Sequence, residues 1–286
     1  MISKKEILTA VNSSIFKIIS EEAESLSLRC FVIGGWVRDL IMNRPSNDID
    51  VVVVGSGIDL AERVKNRLGK KSSMAVFKTY GTAQVKIGNL ELEFVGARKE
   101  SYHTDSRNPL VSQGTLEDDQ NRRDFTINAL AISLNKESLG ELLDPFNGLN
   151  DIEHKRIITP LDPDITFSDD PLRMMRAIRF ASQLDFSLSS ETFDSIYRNR
   201  ERINIITKER IVEELNKIIL SSRPSVGLKL LDMTGLLPLI FPELAALKGT
   251  EIKDGHSHKD VFLHTLKVVD NISRQTTDLW LPDRTI

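Results

Sequence analysis

The chain has 286 residues, 40% of them hydrophobic and 28% charged, with a formal net charge of −3 and a single cysteine. That length suits two or three domains, and lone Cys30 excludes an internal disulfide or a cysteine-based zinc site. No apolar run reaches the ~18 residues of a membrane span, the start Met1-Ile2-Ser3-Lys4-Lys5-Glu6 lacks a signal peptide's apolar core, and the net charge argues against a protein that coats nucleic acid. These points fit a reducing cytoplasm and leave room for a local basic groove.

Apolar residues at helical spacing from Ile7 to Leu26 predict one helix over 6–28. Phe31 to Ile33 reads as a strand, Gly34-Gly35 as a turn, and Val37, Leu40 and Ile41 as the apolar face of a short helix, with Arg38 facing elsewhere. Ile49 to Val54 is the next strand, and Leu60 to Leu68 a helix. Ala83–Ile87 and Leu90–Val95 alternate around Gly88-Asn89, the signal of a hairpin with a type II′ turn. Residues 99–121 are polar and aperiodic, which predicts a mobile loop. Phe125 to Leu134 suits helix or strand. Cys30 opens a strand and reads as a core residue.

From about Asp151 strand signals stop. Amphipathic helices are predicted over Pro171–Leu184, Glu191–Arg202, Lys208–Leu220 and Ser225–Thr234. The layout is a mixed α/β region followed by an all-helical one, an α+β chain.

Asp48 and Asp50 share one face of their strand, and Ile49 and Val51 the other. Paired carboxylates repel, and a magnesium ion bound through carboxylates and substrate phosphates would hold both ionised. Glu93 is a third acid if the hairpin pairs beside this strand, with Glu91 in reserve. Acids alternating on a strand also simply face water. The amides of Gly34 and Gly35, at a helix start, suit a triphosphate, and Arg38 can fork onto phosphate. Asp39 reads as a local structural partner.

Arg122-Arg123-Asp124-Phe125-Thr126-Ile127-Asn128 sets two cations, an acid and an amide close together. Asp124 and Asn128, four apart, share a face if this segment is helical, and an acid with an amide can bond ribose hydroxyls, favouring ribonucleotides. A capped helix with a solvated basic start is the plainer alternative. Asp170 precedes Pro171, so it suits a helix N-cap. With Arg173 it can equally offer an acceptor and a donor to a base edge, cytosine or adenine alike. Arg173, Arg176 and Arg179 gather charge on one helix. His256, His258, Asp260 and His264 make an incomplete metal set.

Gly34-Gly35-Trp36-Val37-Arg38-Asp39 followed by Asp48-Ile49-Asp50 resembles the signature of the polymerase-β-like nucleotidyltransferases. Arg122 to Ala129, Asp144-Pro145-Phe146-Asn147-Gly148, Asp170 to Phe180, and Glu209-Arg210-Ile211 with Glu214-Leu215 follow in order. Over roughly residues 28–270 the chain is similar to bacterial class II CCA-adding tRNA nucleotidyltransferases and to bacterial poly(A) polymerases.

The resemblance implies a nucleotidyltransferase head over 1–148, a helical neck and body over 149–242, and the start of an HD-type helical domain over 243–286. It implies that Asp48 and Asp50 hold magnesium, two ions in all, with Glu93 as the third acid. Gly34, Gly35 and Arg38 would contact the triphosphate, with Arg123 among the nucleotide-binding residues and Asp124 and Asn128 near the ribose. Asp170 and Arg173 would pair with the CTP or ATP base, Arg176 and Arg179 would lie near base or phosphates, and Glu209 and Arg210 would brace that helix. Asp169 stands where the family usually has glutamate.

The activity implied is addition of CMP and AMP to a tRNA 3′ end. Poly(A) synthesis, partial CC- or A-addition, and an inactive RNA-binding remnant are the alternatives. An HD phosphohydrolase fits least, because no His-Asp dipeptide occurs. The sequence stops before that dyad, so the expectation is a truncated product or fragment.

Overall fold

Ser3 opens the first helix, α1 (Lys4–Val11), through a capping box with Glu6. The computed structural model describes residues 2–103, 106–249, 252–253, 256–257 and 260–275, and divides into two units, Met1–His154 and Lys155–Ile286. The single helix predicted over 6–28 is two: α1 ends at Asn12, and Ser13, in extended conformation, starts α2 (Ser14–Ser25). Asn and Ser compete with helical bonding and favour helix ends, which explains the break.

Next come β1 (Arg29–Ile33), α3 (Gly35–Ile41), β2 (Asp48–Val54), α4 (Gly57–Leu68), β3 (Ser72–Phe77), β4 (Thr82–Ile87) and β5 (Leu90–Gly96). The predicted hairpin is β4–β5, closed by Gly88 at φ +55° while Asn89 keeps negative φ, as a type II′ turn requires. Residues 99–121 are not a loop. They form a second hairpin, β6 (Arg98–His103) with β7 (Ser106–Gln113), and a helix, α5 (Leu116–Asn121), begun by a Thr115–Asp118 capping box. Thr126–Asn128 is a 3₁₀ turn, followed by β8 (Ala131–Ser133), β9 (Leu142–Leu143) and α6 (Gly148–Glu153).

Seven strands form one mixed sheet in the order β3-β4-β5-β2-β1-β8-β9. Alternation sorts its two faces. Cys30, Val32, Ile49, Val51, Val53, Leu92 and Phe94 pack with Ile15, Ile19, Leu60 and Val64 from α2 and α4. Each such burial contributes about 1.5–3 kcal/mol, and a one-residue slip of β2 would turn Ile49, Val51 and Val53 to the other face. That register therefore fixes Asp48 and Asp50 on the opposite face. There a smaller cluster of Phe31, Ile33, Val52, Ala97, Leu116 and Ala131 covers only part of the sheet.

The second unit is mainly helical. A short parallel pair, β10 (Arg156–Ile157) with β11 (Ser187–Leu188), flanks α7 (Pro163–Asp169) and α8 (Leu172–Leu184). Then follow α9 (Ser190–Asn199), α10 (Lys208–Ile219), α11 (Pro224–Met233), α12 (Leu237–Ile240) and α13 (Pro242–Ala245). The two-residue strands β12 (Ile252–Lys253) and β13 (His256–Ser257) precede α14 (Val261–Gln275). Ser225 at the start of α11 donates to both carboxylate oxygens of Asp270 on α14, at 2.9 Å and 2.7 Å. The strands β10 and β11 are too short to leave an alternation signal. Among the described residues no helix is long and apolar enough to cross a membrane.

Candidate active site

Gly34 is where the sheet meets the chemistry. It ends β1 at φ +82° and ψ −136°, with its N–H bonded to the Leu130 carbonyl. A Cβ there would stand 2.7 Å from Arg123 Nη1 and 3.0 Å from Asp50 Oδ2. Only glycine adopts this backbone without strain and lets the turn, the acid and the guanidinium come this close.

The acids stand in register. Asp50 on β2 pairs with Glu93 on parallel β5, and Asp48 with Glu91, so all four share a face. Glu91 is engaged by Lys86 Nζ at 2.5 Å and Gln84 Nε2 at 3.1 Å. Glu93 instead lies beside Asp50. Burial pushes the Asp48 carboxyl upward, and Glu91 adds to it. Burial likewise raises Asp50, against the pull of Arg123 and with help from Asp48 and Asp119, although two-fifths of its side chain stays exposed. Glu93 is raised by burial and then by Asp50.

A buried network underlies them. Asp119, fully buried on α5, takes Arg122 at 2.5 Å and Arg123 at 3.3 Å on its two oxygens. Arg123 in turn reaches Asp50 Oδ2 at 4.0 Å. The structure thus adds Asp119 as a positioning residue that the sequence reading passed over, because it fell in the stretch taken for a loop. Its signal was available: it lies three and four residues before two arginines, one helical face.

Arg38 is nearly enclosed, with 5% of its side chain exposed. Its Nε and Nη2 donate to the two Asp39 oxygens at 2.9 Å and 3.0 Å, and its Nη1 to Asn128 Oδ1 at 2.8 Å. Asp39 is the local partner expected. Asn128 Nδ2 donates to Asp124 Oδ1 at 3.0 Å, so the two do meet, although only Thr126–Asn128 is helical and Phe125 is extended. Thr126, between them, donates to buried Asp151 at 2.7 Å, and Asp144 caps α6 through the Gly148 and Leu149 amides.

In the second unit, Asp170 links α7 to α8. Its Oδ1 accepts from the Leu172 amide at 3.1 Å, the capping role, and its Oδ2 lies 3.6 Å from Arg210 on α10. Arg173 Nη1 reaches the Thr166 carbonyl at 3.5 Å. Arg179 meets Glu214 at 2.7 Å, with 6% and 5% of the two side chains exposed, off the line of a good hydrogen bond. Its guanidinium also stacks on Phe180 at 4.1 Å, and that of Arg176 lies 5.5 Å from the same ring. Asp260 caps α14 through the Leu263 amide at 2.9 Å. The side chains of His256 and His258, in the weak metal set, lie outside the described residues.

Residues 30–158 match the model of the poly(A) polymerase head domain, and residues 185–248 that of the probable RNA- and SrmB-binding site of polymerase A. The A-adding tRNA nucleotidyltransferase of Aquifex aeolicus is 39% identical over 206 residues, 72% of this chain and 24% of that protein. The CCA-adding enzyme of Lactobacillus delbrueckii subsp. bulgaricus is 35% identical over 261 residues, 89% of this chain and 63% of that one. A tRNA nucleotidyltransferase crystallised with a primer tRNA and an incoming ATP analogue is 33% identical, with a TM-score of 0.69 over 80% of this chain and 67% of its own. The chain belongs to the CCA-adding enzyme and poly(A) polymerase family of nucleotidyltransferases. It spans about a quarter to under two thirds of the curated relatives it matches, 24%, 55% and 63% in three cases.

Nucleotidyltransferases of this family generally use divalent metal ions. The donors here fit one. Asp48, Asp50 and Glu93 offer only oxygen, the preference of a hard cation, and all three carboxyls are pushed upward, by burial first and by a neighbouring carboxylate after it. Among the described residues no three acid, histidine or cysteine side chains close around one point. That suits a cation whose shell is completed by substrate oxygens and water.

Raised carboxyls stay protonated in the folded chain where the unfolded chain, titrating near about 4, has already ionised. In metal-free buffer stability therefore falls as pH rises from that point through the raised values. Asp50→Asn is expected to melt above wild type at pH 7 in chelator, with a flatter pH profile; an unchanged or lower melting temperature contradicts the charge assignment. Separately, Glu214→Ala leaves a buried guanidinium without its carboxylate, at a cost of about 3–5 kcal/mol. Urea unfolding is expected to show that loss, and an apolar pair at 179 and 214 to recover part of it; an unmoved midpoint contradicts the brace.

Proposed function

We propose that this chain adds nucleotides to a tRNA 3′ end, transferring CMP and AMP from CTP and ATP and releasing pyrophosphate. The observation that carries the reading is Asp50, set against Gly34, Arg123 and Glu93 on the uncovered part of the sheet face. The 3′ oxygen bonds to the α-phosphorus while the bond from that phosphorus to the bridging oxygen breaks, and pyrophosphate leaves with the electron pair. The hydroxyl proton passes to an ionised carboxylate of this acid face, where Glu93 stands opposite Asp50. Asp48 and Asp50 would hold two magnesium ions, which when bound lower the pKa of the attacking hydroxyl and neutralise the triphosphate.

The amides of Gly34 and Gly35 and the guanidinium of Arg123 would receive the triphosphate. Arg38, committed to Asp39 and Asn128, orients the ribose-reading pair Asn128 and Asp124 from behind. Asp170 and Arg173 would read the base edge, a carboxylate retaining acceptor capacity beyond its cap bond. Arg210 braces Asp170, and Arg179 with Glu214 stiffens α8, which we assign a supporting part instead of ligand contact. Residues 1–148 would be the catalytic head, 149–242 the base-reading and RNA-binding part, and 243–286 the start of a further helical domain. A cytoplasmic setting belongs to the same reading, supported by a single cysteine in the sequence.

A narrower activity is favoured by one observation: two of the relatives, at 39% and 34% identity, are A-adding enzymes. Incubation with tRNA lacking its last three nucleotides, or only its last, with CTP, ATP and magnesium, and sizing of the product separates the cases. A complete CCA end is expected. Addition of a single A alone indicates the narrower enzyme, long adenylate tails a poly(A) polymerase, and RNA binding without incorporation an inactive remnant. Asp48→Ala and Asp50→Ala are each expected to abolish incorporation with the fold intact; full activity in a folded double variant refutes the acids' role.

A further inference from the structure

Among the described residues of the first unit, the large apolar side chains that stand most open lie together on one edge of the sheet. Val76, Phe77 and Tyr80 are 37%, 49% and 65% exposed. Val76 and Phe77 end β3, and Tyr80 closes the 3₁₀ turn Lys78–Tyr80 that follows it; β3 ends the strand order, so one edge of it is uncovered by the sheet. Met74 packs into the helix-covered core, so alternation turns Ser73, Ala75 and Phe77 to the other face. Register agrees. Phe77 pairs with Thr82, Thr82 with Val95 and Val95 with Val52, one row beyond the row that carries Ala75, Gln84, Glu93 and Asp50. Phe77 therefore looks out from the same face as the acids.

In-line displacement gives that face a direction. With the triphosphate at the Gly34 turn, on the β1 side of β2, the leaving oxygen points toward β1. The attacking oxygen must then arrive from the opposite side, over β5, where Glu93 stands. Beyond β5 lie only β4 and β3. From β2 to β3 is three strand spacings, about 14 Å at ~4.8 Å each, a span of about four nucleotides where bases stack at about 3.4 Å and of two or three where the strand is extended. Lys70 and Lys71 precede β3 and Lys78 follows it, all exposed. Aromatic side chains interleaved with cations suit single-stranded RNA, whose bases stack while its phosphates are neutralised.

We propose that Phe77 and Tyr80, with Lys78 between them, are a stacking platform for the single-stranded 3′ end of the RNA substrate, two to four nucleotides behind the attacking hydroxyl. The assignment rests on the proposed RNA 3′-end activity and adds to it the path of the attacking strand. The platform holds RNA and leaves the nucleoside triphosphate untouched.

The test uses the full chain and a tRNA-derived RNA lacking its terminal nucleotides, with 2-aminopurine third from its 3′ end. Binding is expected to quench the fluorophore. Phe77→Ala with Tyr80→Ala is expected to relieve the quench and raise the RNA KM about tenfold, within the range for loss of base stacking, with the KM for ATP and the melting temperature unchanged. Phe77→Trp is expected to restore both. Normal incorporation with an unchanged RNA KM in the alanine variant overturns the platform alone. So does self-association through β3 that disappears in that variant while RNA binding persists. A chain that binds no RNA overturns the platform together with the proposed function.

Discussion

A buried carboxylate makes the rest of the first unit possible. Asp119 has no exposed side-chain surface, yet it takes Arg122 and Arg123 on its two oxygens and so fixes where Arg123 points. Arg123 then lies against Asp50 and against the Cα of Gly34. A buried charge network of this kind is a poor source of stability, since desolvation offsets much of the Coulomb attraction. Its effect is positional: it plants a cation beside the acids without neutralising them. Burial and mutual repulsion still leave Asp48, Asp50 and Glu93 short of positive charge. A site left in that state favours a bound cation and a phosphate-bearing substrate together.

The second unit uses the same device for a different end. Helix α8 carries its arginines in two roles, separated by helical phase. Arg179 faces inward to Glu214 and Phe180, while Arg173 and Arg176 remain partly exposed. Asp170 is both the cap of α8 and the partner of Arg210. A residue serving as a helix cap is held in one orientation, which is what reading a base edge demands. The capping and recognition readings of Asp170 are therefore compatible.

Much of the site was legible because strand alternation is a strong constraint. The Asp48–Asp50 face and the hairpin that carries Glu93 came from spacing; Asp124 and Asn128 meet as expected, but around an extended Phe125 and a 3₁₀ turn instead of along a helix. What escaped had weak periodicity. The hairpin β6–β7 and α5 lie in a polar stretch, although the Thr115–Asp118 capping box marked the helix start. Asp119 was missed with them. The buried partners of Arg38 and Arg179, Asn128 and Glu214, could not be read from spacing, since each lies far away along the chain. Edge strand β3 gave no signal, because its outward face has nothing to pack against.

The central claim is that the face shared by Asp48, Asp50 and Glu93 is a cation site completed by a nucleotide. Titration of Mn²⁺ into the chain, followed by loss of the free-ion electron paramagnetic resonance signal, tests it directly. With a non-hydrolysable CTP or ATP analogue present, about two tightly held ions per chain are predicted, falling sharply in Asp48→Asn and Asp50→Asn. The same uptake in wild type and in both variants would contradict the account.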